Sequence, residues 1–126
     1  MDFKQLIANS EEKLRIVQEL VPGKQISIAH VIANPDPVLY TKLGLDPTKD
    51  YHHDAIGIVT ISPAETAIII ADIALKASGA ELGFVDRFSG TLIMTGQVSE
   101  VISSLTALVE YAEKTLGFTV CPITKT

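Results

Sequence analysis

The stretch Ala55-Ile56-Gly57-Ile58-Val59-Thr60-Ile61-Ser62-Pro63-Ala64-Glu65-Thr66-Ala67-Ile68-Ile69-Ile70-Ala71-Asp72 decides the fold class. Its first seven residues are β-branched or small and read as a strand, Ala55–Ile61. Ser62-Pro63-Ala64-Glu65 then has the form of a capping box with proline at the first helical position, so Ser62 is expected to accept from the amide near Glu65. The helix it opens runs through Ala67, Ile68, Ile70, Ala71, Ala74 and Leu75 to a stop at Gly79. With few polar residues it is expected to be buried on most sides, leaving a strip with Asp72 and Lys76, one turn apart, facing outward or toward a neighbour.

Working outward, Leu82–Val85 and Thr91–Thr95 form a hairpin whose turn lies around Arg87-Phe88-Ser89-Gly90. From Val98, apolar residues at Val101, Ile102, Leu105, Leu108, Val109, Ala112 and Leu116 make a one-sided helical stripe that Gly117 ends. Phe118–Ile123 is expected to be extended. Upstream, Gln25–Ala33 alternates Ile26, Ile28, His30 and Ile32 against smaller residues, which predicts a strand with one helix-covered face. A short helix follows, capped by Asp36, led by Pro37 and ended by Gly44. Strands mixed with helices able to cover a face indicate an α+β layered fold with helices packed on an antiparallel sheet. Residues 1–23 form an extension outside the unit at 24–126: Asn9 and Glu12 suit a helix reaching Leu20, while Leu14–Val21 equally suits an extended arm ended by Pro22-Gly23.

Composition bounds what such a domain does. The 126 residues are 47% hydrophobic and 20% charged, one compact domain with a real core. A single cysteine excludes a disulfide scaffold. The start, Met1-Asp2-Phe3-Lys4-Gln5, lacks a secretory pattern, and the apolar run Ala67–Leu75 is broken by Asp72, far short of the ~20 residues of a membrane span; a cytoplasmic location is expected. A net charge of −5 and 6% aromatics without tryptophan argue against nucleic acid as a partner. The mean hydropathy of +0.32 is high for a small chain and points to burial against other copies.

Chemistry is sparse. His52-His53-Asp54 has zinc-ligand residue types, but neighbours in an extended segment point apart, and no further ligands are at hand. His30 suits a hydrogen-bonded sheet histidine, and Cys121 lacks a nearby base to activate it. Ser89 has no nucleophile-elbow surroundings, and Asp86-Arg87 in a tight hairpin is expected to form a local salt bridge. No phosphate-binding or dinucleotide motif occurs, so no catalytic residue, metal or cofactor is assigned.

Taken in order, Val21-Pro22-Gly23-Lys24-Gln25, Ala29-His30-Val31-Ile32-Ala33-Asn34-Pro35, Ala55-Ile56-Gly57, Asp86-Arg87-Phe88-Ser89-Gly90 and the Cys121-containing tail are specific. Together they resemble the circularly permuted, single-domain shell proteins of bacterial microcompartments, as in ethanolamine- and propanediol-utilisation organelles. The likeness spans Arg15 to Thr126. It implies a non-enzymatic structural protein of the bacterial cytoplasm with the BMC fold, in which the strand and short helix of Gln25–Leu43 open the chain where ordinary-order relatives close it. It further implies homo-hexameric discs that tile with other shell proteins around encapsulated enzymes, without nucleic acid or membrane.

Roles follow from the same resemblance. Lys76, Asp72 and the position of Asn34 belong to the disc edge; ordinary-order relatives carry arginine near Asn34, so its replacement implies weaker self-tiling and a minor shell role. Arg87, Phe88, Ser89 and Gly90 line an axial opening, occluded or tightly restricted, whose charge Arg87 would set. The arm Arg15, Ile16, Val17, Gln18, Glu19 and Leu20 matches a strand contributed to a small six-stranded barrel over that opening. Met1–Lys13 extends beyond the matched part. Two rival readings remain: an oligomeric metabolite or metal sensor using His52, His53, Asp54 or Arg87, and an enzyme using Cys121 with His30.

Overall fold

The computed structural model describes residues 23–126. Eight elements follow in order: β1 (Gln25–Ile32), α1 (Val38–Lys42), β2 (Ala55–Ser62), α2 (Thr66–Ala77), β3 (Glu81–Asp86), β4 (Thr91–Gly96), α3 (Val98–Lys114) and β5 (Thr124–Lys125). The sheet order is β3-β4-β2-β1-β5, antiparallel through the first four strands, with β5 added parallel to β1.

Both faces of the sheet are covered. Alternation along β2 and β4 sends Val59, Ile61, Leu92 and Met94 to one face, where they meet Ala67, Ile70 and Ala74 of α2 and Val101, Leu105 and Leu108 of α3. On the other face Ile56 and Ile93 pack with Tyr40, Leu45 and Tyr51 from α1 and the following loop. Gly57 lets α3 come close, since a Cβ there would lie 2.7 Å from Val101 and 2.9 Å from Leu105. Ser104, fully buried on α3, donates to the carbonyl of Ala74 (2.9 Å) and meets Ser78 Oγ (2.7 Å), tying the end of α2 to α3.

Four sequence expectations change. The β1 alternation is broken by a bulge at Ser27: Ile26 pairs with Ile61 and Ile28 with Thr60, so Ile26, Ala29 and Val31 face the helices while Ile28 stays 48% exposed. The Ser62 capping box does not form. Ser62 remains in the ladder opposite Gln25, residues 63–65 turn, and α2 begins at Thr66, whose hydroxyl and amide both donate to the carbonyl of Pro63. α2 is buried on one side only in the single chain, with Ile68, Ile69 and Leu75 about half exposed. In the tail, the ladder residues are Thr124–Lys125 with a single earlier bridge at Thr119, because only there does the segment run within reach of β1.

The short helix forms as read. Asp36 Oδ1 accepts from the amide of Val38 (3.0 Å), and Gly44 ends it at φ +71°. The hairpin and α3 also match their expected spans, Gly117 closing α3 at φ +73°.

Candidate functional sites at the two ends of the sheet

The β3–β4 turn is built by Asp86. Its Oδ1 accepts from the amide of Phe88 and its Oδ2 from the hydroxyl of Ser89, both at 2.9 Å. These bonds, the amide of Phe88 first, hold the Asp86 carboxyl below the usual carboxylate range. Gly90, at φ +75°, donates its amide to the carbonyl of Asp86, and its own carbonyl accepts from the amide of Ile61 (2.9 Å each). A Cβ at Gly90 would fall 2.0 Å from the Ile61 carbonyl oxygen, so only glycine lets the turn sit this close to the end of β2.

The expected Asp86–Arg87 salt bridge is not formed among the described residues, because both carboxylate oxygens are used inside the turn. Arg87 instead lies over Phe88, with Cζ 4.9 Å from the ring centroid. Phe88 is 81% exposed.

Register places this turn relative to everything else. Gln25 pairs with Ser62, Thr60 with Thr91, and Thr91 with Asp86, so the start of β1 and the turn share one end of the sheet. β1 lies two strands from β4, or about 10 Å. From that end α2 runs back for 12 residues, about 18 Å, and delivers Lys76 toward the opposite end, where Ala55 pairs with Gly96. Asn34, exposed, follows β1 by two residues at that same far end. Lys76 Nζ donates to Asp72 Oδ2 at 2.7 Å, an exposed i,i+4 pair worth about 0.3–0.5 kcal/mol. The sequence-derived residues thus fall into two groups at opposite ends, Arg87–Gly90 and Asp72, Lys76 and Asn34. The arm Arg15–Leu20 lies outside the described residues.

The residues of the sensor reading are not brought together, whereas His30 and Cys121 line one cavity beside β1 without a hydrogen bond between them. His52 and His53 sit at φ +47° and +62° in an exposed turn, with the amide of His52 bonded to Asp50 Oδ1 (3.0 Å). Asp54 closes that turn, its amide donating to the carbonyl of Tyr51 (2.7 Å). Among the described residues no group of three or more His, Cys, Asp or Glu side chains could hold a metal ion. His30 meets Thr124 Oγ1 (2.5 Å) through Nδ1 and Thr126 Oγ1 (2.9 Å) through Nε2, a clamp on the tail. Both ring nitrogens are thereby engaged, and His30 forms no hydrogen bond with the half-buried Cys121.

Sequence reasoning missed the loop after α1. Tyr40 and Tyr51 stack at 4.8 Å, Lys49 pairs with Glu81 of β3, and Asp46 accepts from the amide and hydroxyl of Thr48. Burial, and then the charge of Asp54, raises the Tyr40 phenol. A cavity of about 370 Å³ opens beside the two rings, yet both phenol oxygens are already bonded, to the Asp54 carbonyl and the Asp46 amide.

Comparison with known proteins agrees with this geometry. The BMC domain family matches residues 55–124, starting at the first residue of β2 and leaving β1 and α1 ahead of it in the chain yet beside it in the sheet, the arrangement of a permuted order. The bacterial microcompartment shell protein CutR of Streptococcus intermedius is 50% identical over 111 residues, 88% of this chain and 91% of its own. The shell protein PduU of Salmonella typhimurium is 46% identical over 112 residues, 89% of this chain and 93% of its own. A solved CutR flat hexamer superposes with a TM-score of 0.76 at 47% identity, covering 84% of this chain and 94% of the other. The chain belongs to the BMC-domain family of bacterial microcompartment shell proteins.

Proposed function

We propose that this chain is a non-enzymatic tile of a microcompartment shell in the bacterial cytoplasm: six copies close into a disc, and discs join one another and other shell proteins around encapsulated enzymes. The observation that carries the reading is the separation of the two residue groups along the sheet. A wedge in a ring needs one end at the axis and the other at the rim, and the Arg87–Gly90 turn and the Lys76 end of α2 are an α2 length apart. The turn would line the axis, with residues 15–20 leaving on the same end to cap it. Lys76, oriented by Asp72, would reach across to a neighbouring disc, and Asn34, lacking the arginine of ordinary-order relatives, would weaken contacts between like discs. The apolar residues left exposed in the single chain, Ile68, Ile69, Leu75 and Leu82 among them, give a ring contact something to bury.

The deciding experiment is size-exclusion chromatography with light scattering. Six copies of the 13.5 kDa chain predict a particle of about 81 kDa. A stable monomer at micromolar concentration would overturn the proposal. The sensor reading has lost its metal site to the exposed His52–His53 turn, and nothing in the geometry favours it.

A further inference from the structure

We propose that Glu100 is the acceptor for Lys76 across the rim: where two discs of this chain meet edge to edge, the Lys76 ammonium of each engages the Glu100 carboxylate of the other. The inference rests on the rim reading of Lys76 and goes beyond it by naming the group that lysine meets.

Glu100 stands half-buried in the first turn of α3, just after Gly96, which pairs with Ala55 at the rim end of the sheet. Its carboxylate occupies a notch between two glycines. A Cβ at Gly79 would lie 2.8 Å from Oε1, and one at Gly96 would lie 3.4 Å from Oε2. Gly79 has no positive φ, so its backbone does not call for glycine. What a side chain there would disturb is the carboxylate, pushing it out of the notch. The positive end of α3 suits an acid at this position, yet among the described residues no cation pairs with it.

Lys76 is presented from the same place. Ser78, which ends α2, donates its hydroxyl to the Glu100 carbonyl (2.8 Å), so the end of α2 is tied to the start of α3. Lys76 and Glu100 are thereby held as neighbours at one end of the sheet. Asp72, the partner of Lys76 in the single chain, lies one turn back along α2, about 6 Å further from the rim. Two like discs in one layer meet about a two-fold axis, so each rim patch faces its own copy. A patch carrying lysine alone would set ammonium against ammonium. One with an acid beside the base is complementary to itself after a half turn, and the exposed Lys76–Asp72 pair is weak enough to be exchanged.

Sedimentation of purified rings, each first shown to keep its hexamer mass, tests the pairing. Lys76→Glu rings and Glu100→Lys rings should each remain single discs. Mixed together, labelled Lys76→Glu rings should sediment with Glu100→Lys rings, because glutamate then faces lysine at both halves of the contact. Asp72→Lys rings carry the same added charge one turn back and should recruit the labelled rings several-fold less. Equal recruitment by both would mean general attraction between oppositely charged discs and would overturn the proposal. So would the absence of recruitment by Glu100→Lys rings, or their self-association. Should Glu100→Lys not form rings, Glu100→Gln decides: its rings must associate several-fold less than native ones, and equal association overturns the pairing. Lys76→Glu rings that associate on their own would instead sink the rim reading itself.

Discussion

Three glycines hold nearly the same backbone angle for different reasons, and replacing them separates two effects. Gly44, Gly90 and Gly117 have φ of +71°, +75° and +73°. At Gly44 and Gly117 an added Cβ meets nothing within 4 Å, whereas at Gly90 it falls 2.0 Å from the Ile61 carbonyl oxygen and 3.2 Å from Ala64 Cα. Gly44→Ala and Gly117→Ala should therefore cost only the left-handed conformation, about 1–2 kcal/mol each. Gly90→Ala carries the same conformational cost and a backbone clash besides. Relief requires moving the turn off β2, which breaks the 2.9 Å bond from the Ile61 amide to the Gly90 carbonyl and adds about 1–3 kcal/mol for the buried groups left unpaired. The total of about 2–5 kcal/mol is a large share of a small domain's stability. Urea unfolding followed by far-ultraviolet circular dichroism measures the difference, at one chain concentration for all variants because assembly contributes to stability. With a slope of about 1–3 kcal/mol per molar urea, Gly90→Ala should unfold about 1–2 M earlier than Gly44→Ala. Coincident midpoints would refute the argument that the turn is locked on β2 by close approach.

Two further outcomes follow from the same contacts. Asp86 and Asp46 are both held below their ordinary range, Asp86 by the Phe88 amide and Asp46 by the Thr48 hydroxyl. A carboxylate depressed in the folded state stabilises it at every pH above the unfolded value, near 3.9, and that contribution disappears as pH falls through the folded value. Urea midpoints should hold steady from neutrality to the mid-fours and drop below about pH 4, and Asp86→Asn with Asp46→Asn should flatten the drop. At the proposed rim, Lys76→Ala should leave the hexamer mass unchanged while abolishing extended sheets or tubes in electron micrographs. Asp72→Asn should reduce them less, because the 2.7 Å pair only orients the ammonium. Sheets of undiminished extent from Lys76→Ala would place the rim elsewhere.

Most of the fold was legible because its signals are local. Gly90 in the hairpin turn, the apolar stripe from Val98 to Leu116 and the Asp36 cap each act over a few residues, and each sits where its chemistry demands. The misreadings come from competition with the sheet. Ser62 had the right neighbours for a cap, but its backbone was already committed to Gln25 across the ladder. Ile26 and Ile28 looked like one face until the bulge at Ser27 shifted the phase, a choice made by the partner strand and invisible in β1 itself. The candidate site residues were proposed from the resemblance to shell proteins, and their separation to two opposite ends of the sheet was not legible, since it depends on which strand pairs with which. The Tyr40–Tyr51 stack and the Lys49–Glu81 pair join a long loop to the sheet across 11 and 32 positions of sequence, a distance over which periodicity carries no information.

The apolar excess of the sequence now has an address. With α2 and α3 on one face of the sheet and α1 with its loop on the other, both broad faces are occupied within one chain. Among the described residues, what remains exposed is Phe88 at one end, Ile68, Ile69 and Leu75 along the outside of α2, Leu82 on the outer strand β3, Ile28 on β1 at the other side of the sheet, and Val38 and Leu43 at the two ends of α1. A self-complementary pair of copies would cover one flank and leave the other wet. A head-to-tail contact covers two unlike flanks at once and, repeated with a closing rotation, leaves none uncovered. The chain carries exposed apolar residues on both flanks, which is the pattern a closed ring requires and an isologous dimer does not.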